Sequence, residues 1–119
     1  MKVRCVKLTD VYGLPQRQSP WLTVGKVYDV LSLEQSSDQE WLLRIVGDGL
    51  NGVALFQARE FEIVTATIPQ NWIISWRSDL LGLMPKPWSS SGFWERYYDG
   101  DEKAVRIFDE ERAKVIGQL

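Results

Sequence analysis

Three carboxylates lie close together near the C-terminal end of the chain, at Asp99, Asp101 and Glu102. Carboxylate oxygens bind divalent cations, but an EF-hand loop spreads its ligands over about twelve positions and this run is far shorter. The same residue types suit the start of a helix, where a side-chain oxygen caps free N–H groups and negative charge complements the helix dipole. We therefore interpret the cluster as a helix start and predict no metal and no cofactor.

The chain contains no histidine and a single cysteine, Cys5. That composition excludes Ser-His-Asp and Cys-His catalysis and histidine-ligated zinc. Gly47-x-Gly49-x-x-Gly52 matches a dinucleotide fingerprint as a string, but it lies between two predicted strands rather than between a strand and a helix. Cys5 alternates with charged residues, which favours a buried structural thiol. We predict a protein that is not an enzyme; catalysis by carboxylates alone is the remaining alternative, and no spacing singles out a pair.

Aromatic residues give the strongest remaining indication of a binding surface, since the chain has six tryptophans. On a predicted short helix over 93–98, Phe93 and Tyr97 share one side, and Trp94 and Tyr98 share the next. One short helix can bury one such stripe, so we expect the other to be partly exposed and to contact a partner; the alternative is a small core that joins the helices to the sheet. The candidate partner-binding residues are these aromatics, the neighbouring acids and one tryptophan of the first half: Trp41, Trp88, Phe93, Trp94, Tyr97, Tyr98, Glu95, Asp99 and Asp101.

The charge balance argues against nucleic acid as the partner, because 14 basic and 16 acidic residues give a net charge of −2. Phosphate recognition usually requires a basic excess. The alternative is a nucleic-acid-associated regulator that would use Arg17, Lys26, Arg44 and Arg59. No apolar stretch is long enough to span a membrane, and the N-terminal residues alternate rather than form a signal core, so we expect a cytoplasmic protein.

Short strands separated by turn residues dominate the first half. The pattern predicts strands over 2–8, 27–33, 41–46, 53–56 and 60–64, with a long loop over 9–22 and a glycine-rich hairpin turn at 47–52. Strands this short and this closely spaced are typical of a small antiparallel barrel.

The second half predicts a hairpin followed by two helices. Trp72 and Trp76 fall on one face of a strand, so at least one of them should be buried, and a second strand, weakened by Gly82, follows over 80–84. The last helix, over 99–117, has an apolar face that we expect to pack through Phe108 and Ile116. We divide the chain into a barrel over 1–66 and a hairpin and helical extension over 67–119, packed as one unit.

Two stretches and one tryptophan resemble the Src-homology-3-like barrels: Leu22-Thr23-Val24-Gly25-Lys26-Val27-Tyr28-Asp29-Val30-Leu31, the stretch Gly52–Val64, and Trp41. In that family a Gly-x-x-x-Phe strand is followed by a 3₁₀ turn and a closing strand, and the resemblance implies the same barrel here. It also implies that Trp41 matches the tryptophan that stacks on proline-rich peptides. The paired tyrosines of that groove are missing, with Tyr12 alone in their region, and Gln57 stands at the expected proline, so we predict no tight polyproline binding.

The second half is similar to small bacterial proteins associated with toxin-immunity neighbourhoods, through Ile68-Pro69-x-Asn71-Trp72 and the stretch Pro87–Asp101. This resemblance implies a bacterial or phage protein that binds a partner protein stoichiometrically, in the manner of an immunity-type inhibitor. A homodimer is the other arrangement that would cover exposed aromatic residues.

Overall fold

Short runs rich in apolar side chains form the strands of this protein, and the two helices follow them at the C-terminal end. The computed structural model describes residues 1–10, 12–49, 52–77 and 80–117. Within these ranges the elements are β1 (Lys2–Cys5), β2 (Val27–Asp29), β3 (Ser32–Gln35), β4 (Trp41–Val46), β5 (Val53–Gln57), β6 (Phe61–Thr65), β7 (Trp72–Arg77), β8 (Leu80–Pro85), α1 (Phe93–Tyr98) and α2 (Glu102–Ile116). Short 3₁₀ turns at Ala58–Glu60 and Lys86–Ser89 precede β6 and α1.

The strands form two antiparallel sheets in the described part of the chain. One sheet has the order β2-β1-β6 and the other has the order β5-β4-β3-β8-β7. The prediction of a mainly β chain with two C-terminal helices is confirmed, whereas the strands form two open sheets and the closed barrel stays a prediction. The hairpin β7–β8 hydrogen-bonds to β3, so the second half of the chain contributes two strands to a sheet begun by the first half.

The single strand predicted over 27–33 is wrong, because the chain changes sheets in its middle. Val30 donates its N–H to the Met1 carbonyl at 3.0 Å, and Leu31 donates its N–H to the Arg44 carbonyl at 2.8 Å. Both side chains are fully buried although they are consecutive. A regular strand would expose one of the two, so the break follows from the passage of the chain between two sheets that share one core.

Gly82 does not weaken β8 but allows the strand to approach β3 closely. A Cβ atom placed there would lie 2.7 Å from the Met84 side chain and 3.2 Å from the Leu33 carbonyl oxygen. A larger residue would therefore push the hairpin away from the rest of the sheet.

The two helices begin for different reasons. Gly92, in a left-handed conformation with φ of 75°, precedes α1 and no side chain caps that helix. Asp101 caps α2 by accepting the N–H of Ala104 at 3.0 Å, so this helix begins later than the predicted residue 99. Phe108 is buried as predicted, but Ile116 is exposed and Val115 takes the buried position instead.

Candidate functional site

The predicted aromatic binding surface is for the most part a small core. Trp88 and Phe93, both predicted partner-binding residues, are each 2% exposed and so present almost no surface to a partner in this structure. The Trp88 ring stacks on Phe108 of α2 with centroids 5.1 Å apart, and Trp94 packs edge-on against both rings. This is the alternative that the sequence left open, in which the aromatics join the helices to the sheet. More than one aromatic stripe of α1 is at least partly buried, because Trp88 of the preceding 3₁₀ turn and Phe108 of α2 both pack against the aromatic side chains of α1.

A buried arginine of β4 lies against one face of the Trp94 ring. The guanidinium carbon of Arg44 lies 3.6 Å from the centre of the Trp94 ring, and the same group forms an ion pair with Glu34 at 3.0 Å. Arg44 is 4% exposed, so it is not available to a phosphate backbone. Two further cations of the nucleic-acid alternative are also paired, Lys26 with Asp48 at 2.6 Å and Arg59 with Glu40 at 3.5 Å.

Tyr98 is the one candidate aromatic of α1 with an exposed ring, and it too is anchored to the sheet. Its hydroxyl donates to the Val53 carbonyl of β5 at 2.8 Å. Tyr97 is half-buried, and burial raises the pKa of its phenol. Glu95, Asp99 and Asp101 are exposed, and the Asp101 carboxylate is engaged as the helix cap. The acidic residues therefore lie on a surface beside which most of the predicted aromatic residues are buried or half-buried.

Trp41 is the other predicted candidate, and it lies on an open apolar groove between the two sheets. The groove has a volume of about 330 Å³. We call it the Trp41 groove, and it is lined by Met1, Val3, Leu33, Trp41, Leu43, Ala58, Phe61, Glu62, Ile63 and Leu83. Trp41 is 39% exposed and Ile63, opposite it, is 62% exposed.

The strand register explains why the walls of the groove are apolar. Leu33 of β3 is paired directly with Leu43 of β4 and with Leu83 of β8, and directly paired residues project from the same face of a sheet. On the other sheet, Phe61 and Ile63 alternate with Glu62 and so share a face. The two apolar faces meet over the core, and where they separate the groove remains open.

The chemistry available in the groove is apolar contact. Among its lining side chains in the described part of the chain, Glu62 is the one carboxylate, and it forms an ion pair with Arg4 at 3.0 Å. The other side chains that line the groove carry no charge. The groove can instead accept aliphatic or aromatic side chains, with Trp41 and Ile63 as the exposed contact residues.

A polar cluster around Asp48 connects two loops. The Asp48 carboxylate accepts hydrogen bonds from the Thr23 hydroxyl at 2.7 Å, the Lys26 ammonium at 2.6 Å and the Tyr28 hydroxyl at 3.0 Å. The bond from Lys26 is the largest cause that holds the pKa of Asp48 below its usual value, and burial raises the pKa of Tyr28. The sequence presents Asp48 as a turn residue, and its partners could not be identified without the fold, since they lie 20 to 25 residues away in the chain.

Neither a metal-binding group nor a membrane helix is found in the ranges that the structure covers. No group of three or more His, Cys, Asp or Glu side chains lies close enough to hold a metal ion. No helix there has the length and apolarity needed to cross a membrane.

The groove was only partly foreseeable from the sequence. The alternation of Phe61 and Ile63 indicates a shared face, and Trp41 stands at the start of its strand, but Leu33 and Leu83 come together only when the hairpin joins β3. Comparison of the chain with protein-family models, with curated proteins and with solved structures gives no match.

Proposed function

We propose that this protein is a non-enzymatic binding module that recognises a partner protein through the Trp41 groove. The observation that carries the proposal is the open apolar groove itself, with Trp41 39% and Ile63 62% exposed on its opposite walls. Exposed apolar surface of this kind carries a solubility cost that a bound partner removes.

Tryptophan is the residue type most often found at the energetic centre of a protein interface. The backbone of Trp41 is fixed in the sheet, because Trp41, the first residue of β4, is paired with Gln35 of β3. A partner side chain placed against the ring would lie over Leu33 and Leu43 and would be shielded from water on two sides. The inhibitor role implied by the resemblance of residues 68–101 is a narrower form of this proposal, in which the partner is a toxin.

The test is a selection of random peptides displayed on phage against the full chain, followed by binding measurements with purified peptides. We expect selected peptides to carry one or two large apolar anchors and to lose at least about tenfold in affinity for the Trp41→Ala variant. The matched control is Tyr12→Ala, which removes an aromatic ring from an exposed loop position and should leave the affinity unchanged. Peptides that bind both variants and the native chain equally would contradict the proposal.

A further inference from the structure

The two sheets have four edge strands in the described part of the chain, and three of them carry features that oppose pairing with another strand. β2 is only three residues long. β6 has a register shift against β1 and a charge at its second residue, Glu62. At β5, the Val53 carbonyl already accepts a hydrogen bond from the Tyr98 hydroxyl. Short length, bulges, charges and coverage are the usual means by which proteins protect sheet edges.

The fourth edge, β7, lacks these protections except for a charge at its last residue. Its six residues pair with β8 in unbroken register, from Trp72 with Pro85 to Arg77 with Leu80. Arg77, at the strand end, is the one charged residue of β7. Ile74 is 68% exposed and Trp76 is 74% exposed, so two large apolar side chains of the strand are open to solvent. An edge of this length and regularity presents free backbone donors and acceptors beside an uncovered apolar surface.

We propose that β7 pairs antiparallel with β7 of a second copy of this chain, around a two-fold axis at Ser75. Along an edge strand, every second residue directs its backbone N–H and C=O groups away from the sheet. In a symmetric antiparallel pair, residues that lie opposite each other are therefore an even number of positions apart in the sequence, and the two-fold axis passes through a residue. With the axis at Ser75, Ile74 of each copy lies opposite Trp76 of the other. The two most exposed apolar side chains of β7 therefore cover each other twice, and the two five-stranded sheets become one continuous sheet.

The alternative axis at Ile74 is less favourable. It would place Trp76 opposite Trp72 of the second copy, and Trp72 is buried in its own chain and offers little surface to cover. Self-complementarity is the property that a two-fold interface requires, and the Ser75 register provides it.

The area limits the strength of this dimer. Ile73, Ile74 and Trp76 offer roughly 350 Å² of apolar surface per copy, about half of what each partner buries in a standard interface. Backbone hydrogen bonds between the strands supply further free energy. We therefore expect a reversible dimer with a dissociation constant in the micromolar range.

Sedimentation velocity over a concentration series of the full chain measures the association directly. We expect Ile74→Lys to raise the dissociation constant at least about tenfold, because a lysine on an edge strand opposes pairing. The matched control is Ile63→Lys, an equally exposed isoleucine on the β6 edge, which should leave dimerisation unchanged. A chain that stays monomeric up to about 1 mM, or equal losses in the two variants, would overturn the proposal.

A cysteine pair tests the register. Around an axis at Ser75, the two Ser75 Cβ atoms lie about 5 Å apart, so Ser75→Cys should give a disulfide-linked dimer under mild oxidation. Ile73→Cys is the control, because the two positions would be about 13 Å apart along the strands. Cys5 is fully buried and its burial raises the pKa of its thiol, so it should not compete. Equal cross-linking at both positions would refute the register.

The dimer and the Trp41 groove are separable. Trp41→Ala should weaken peptide binding at least about tenfold without changing the sedimentation of the chain, whereas Ile74→Lys should weaken dimerisation without changing peptide binding. A loss of both properties in either variant would show that the two surfaces are not independent and would overturn the assignment of the dimer to β7.

Discussion

Replacement of Arg44 by alanine should destabilise the protein by about 3 kcal/mol, because it removes one of the contacts that join α1 to the larger sheet. The Arg44 guanidinium is 4% exposed, stacks 3.6 Å above the Trp94 ring and pairs with Glu34 at 3.0 Å. A desolvated cation–π contact contributes about 1–2 kcal/mol, and removing one member of a largely buried ion pair adds the cost of the carboxylate left behind. Since the Glu34 side chain keeps 23% of its exposure, we place the total at the lower end of the range for buried pairs.

Urea unfolding followed by far-UV circular dichroism measures this change as a shift of the midpoint at constant slope. The contribution of the contact between Arg44 and Trp94 to this free energy is isolated by a double-mutant cycle with Arg44→Met and Trp94→Leu. We expect a coupling energy of about 1–2 kcal/mol. The matched cycle pairs Arg44→Met with Tyr12→Leu, an aromatic residue on an exposed loop, and its coupling should stay within about 0.5 kcal/mol. A coupling to Trp94 no larger than the coupling to Tyr12 would refute the argument that the stack holds α1 on the sheet.

Three further predictions concern the core, the Asp48 cluster and the peptide groove. Phe108→Asp should cost several kcal/mol of unfolding free energy because it buries an unpaired charge in the aromatic core. Ile116→Asp, at an exposed position in the last turn of the same helix, should cost no more than about 1 kcal/mol, since a negative charge there opposes only the helix dipole; thermal unfolding of both variants decides this. The hydrogen bonds of Asp48 lower its pKa, so its contribution to stability is present above the ordinary pKa of 3.8 and is lost as the pH falls through the lower folded-state pKa. Between pH 6 and pH 2, the free energy of unfolding of Asp48→Asn should therefore fall less steeply than that of the native chain. Equal slopes for the two proteins would contradict this assignment. A Pro-x-x-Pro peptide should not saturate the fluorescence of Trp41 at micromolar concentration, because Gln57 replaces the family's proline; saturation there would show that the polyproline groove is intact.

Local patterns were sufficient to predict many of the elements. The strand Trp41–Val46 and the helix Phe93–Tyr98 have the predicted bounds, and Trp72 is buried, in agreement with the prediction that at least one of the two tryptophans of β7 would be. Alternation, helical periodicity and turn residues are properties of neighbouring residues, so the sequence carries them directly.

The interior positions of the aromatic residues were not predictable in the same way. The burial of Trp88 and Phe93 depends on α2, whose Phe108 stacks against Trp88 from a position 20 residues later. Trp94 is half-buried because Arg44 of β4 lies over it, and no local pattern relates those two residues. A count of aromatic stripes on one helix therefore overestimated the surface that the helix leaves exposed.

The sequence by itself determined that this chain is mainly β with two C-terminal helices, that it lacks the residues for histidine-dependent catalysis, and that it is rich in aromatic residues, with six tryptophans. Only the tertiary structure decided which of those aromatics face outward: Trp41 on a groove between two sheets and Trp76 on an unprotected edge. The physical reason is that exposure depends on what covers a side chain, and the covering residues here come from distant strands, as Leu83 reaches Leu33 and Arg44 reaches Trp94. Local sequence fixes the direction of a side chain within its own element, whereas long-range packing sets its surroundings.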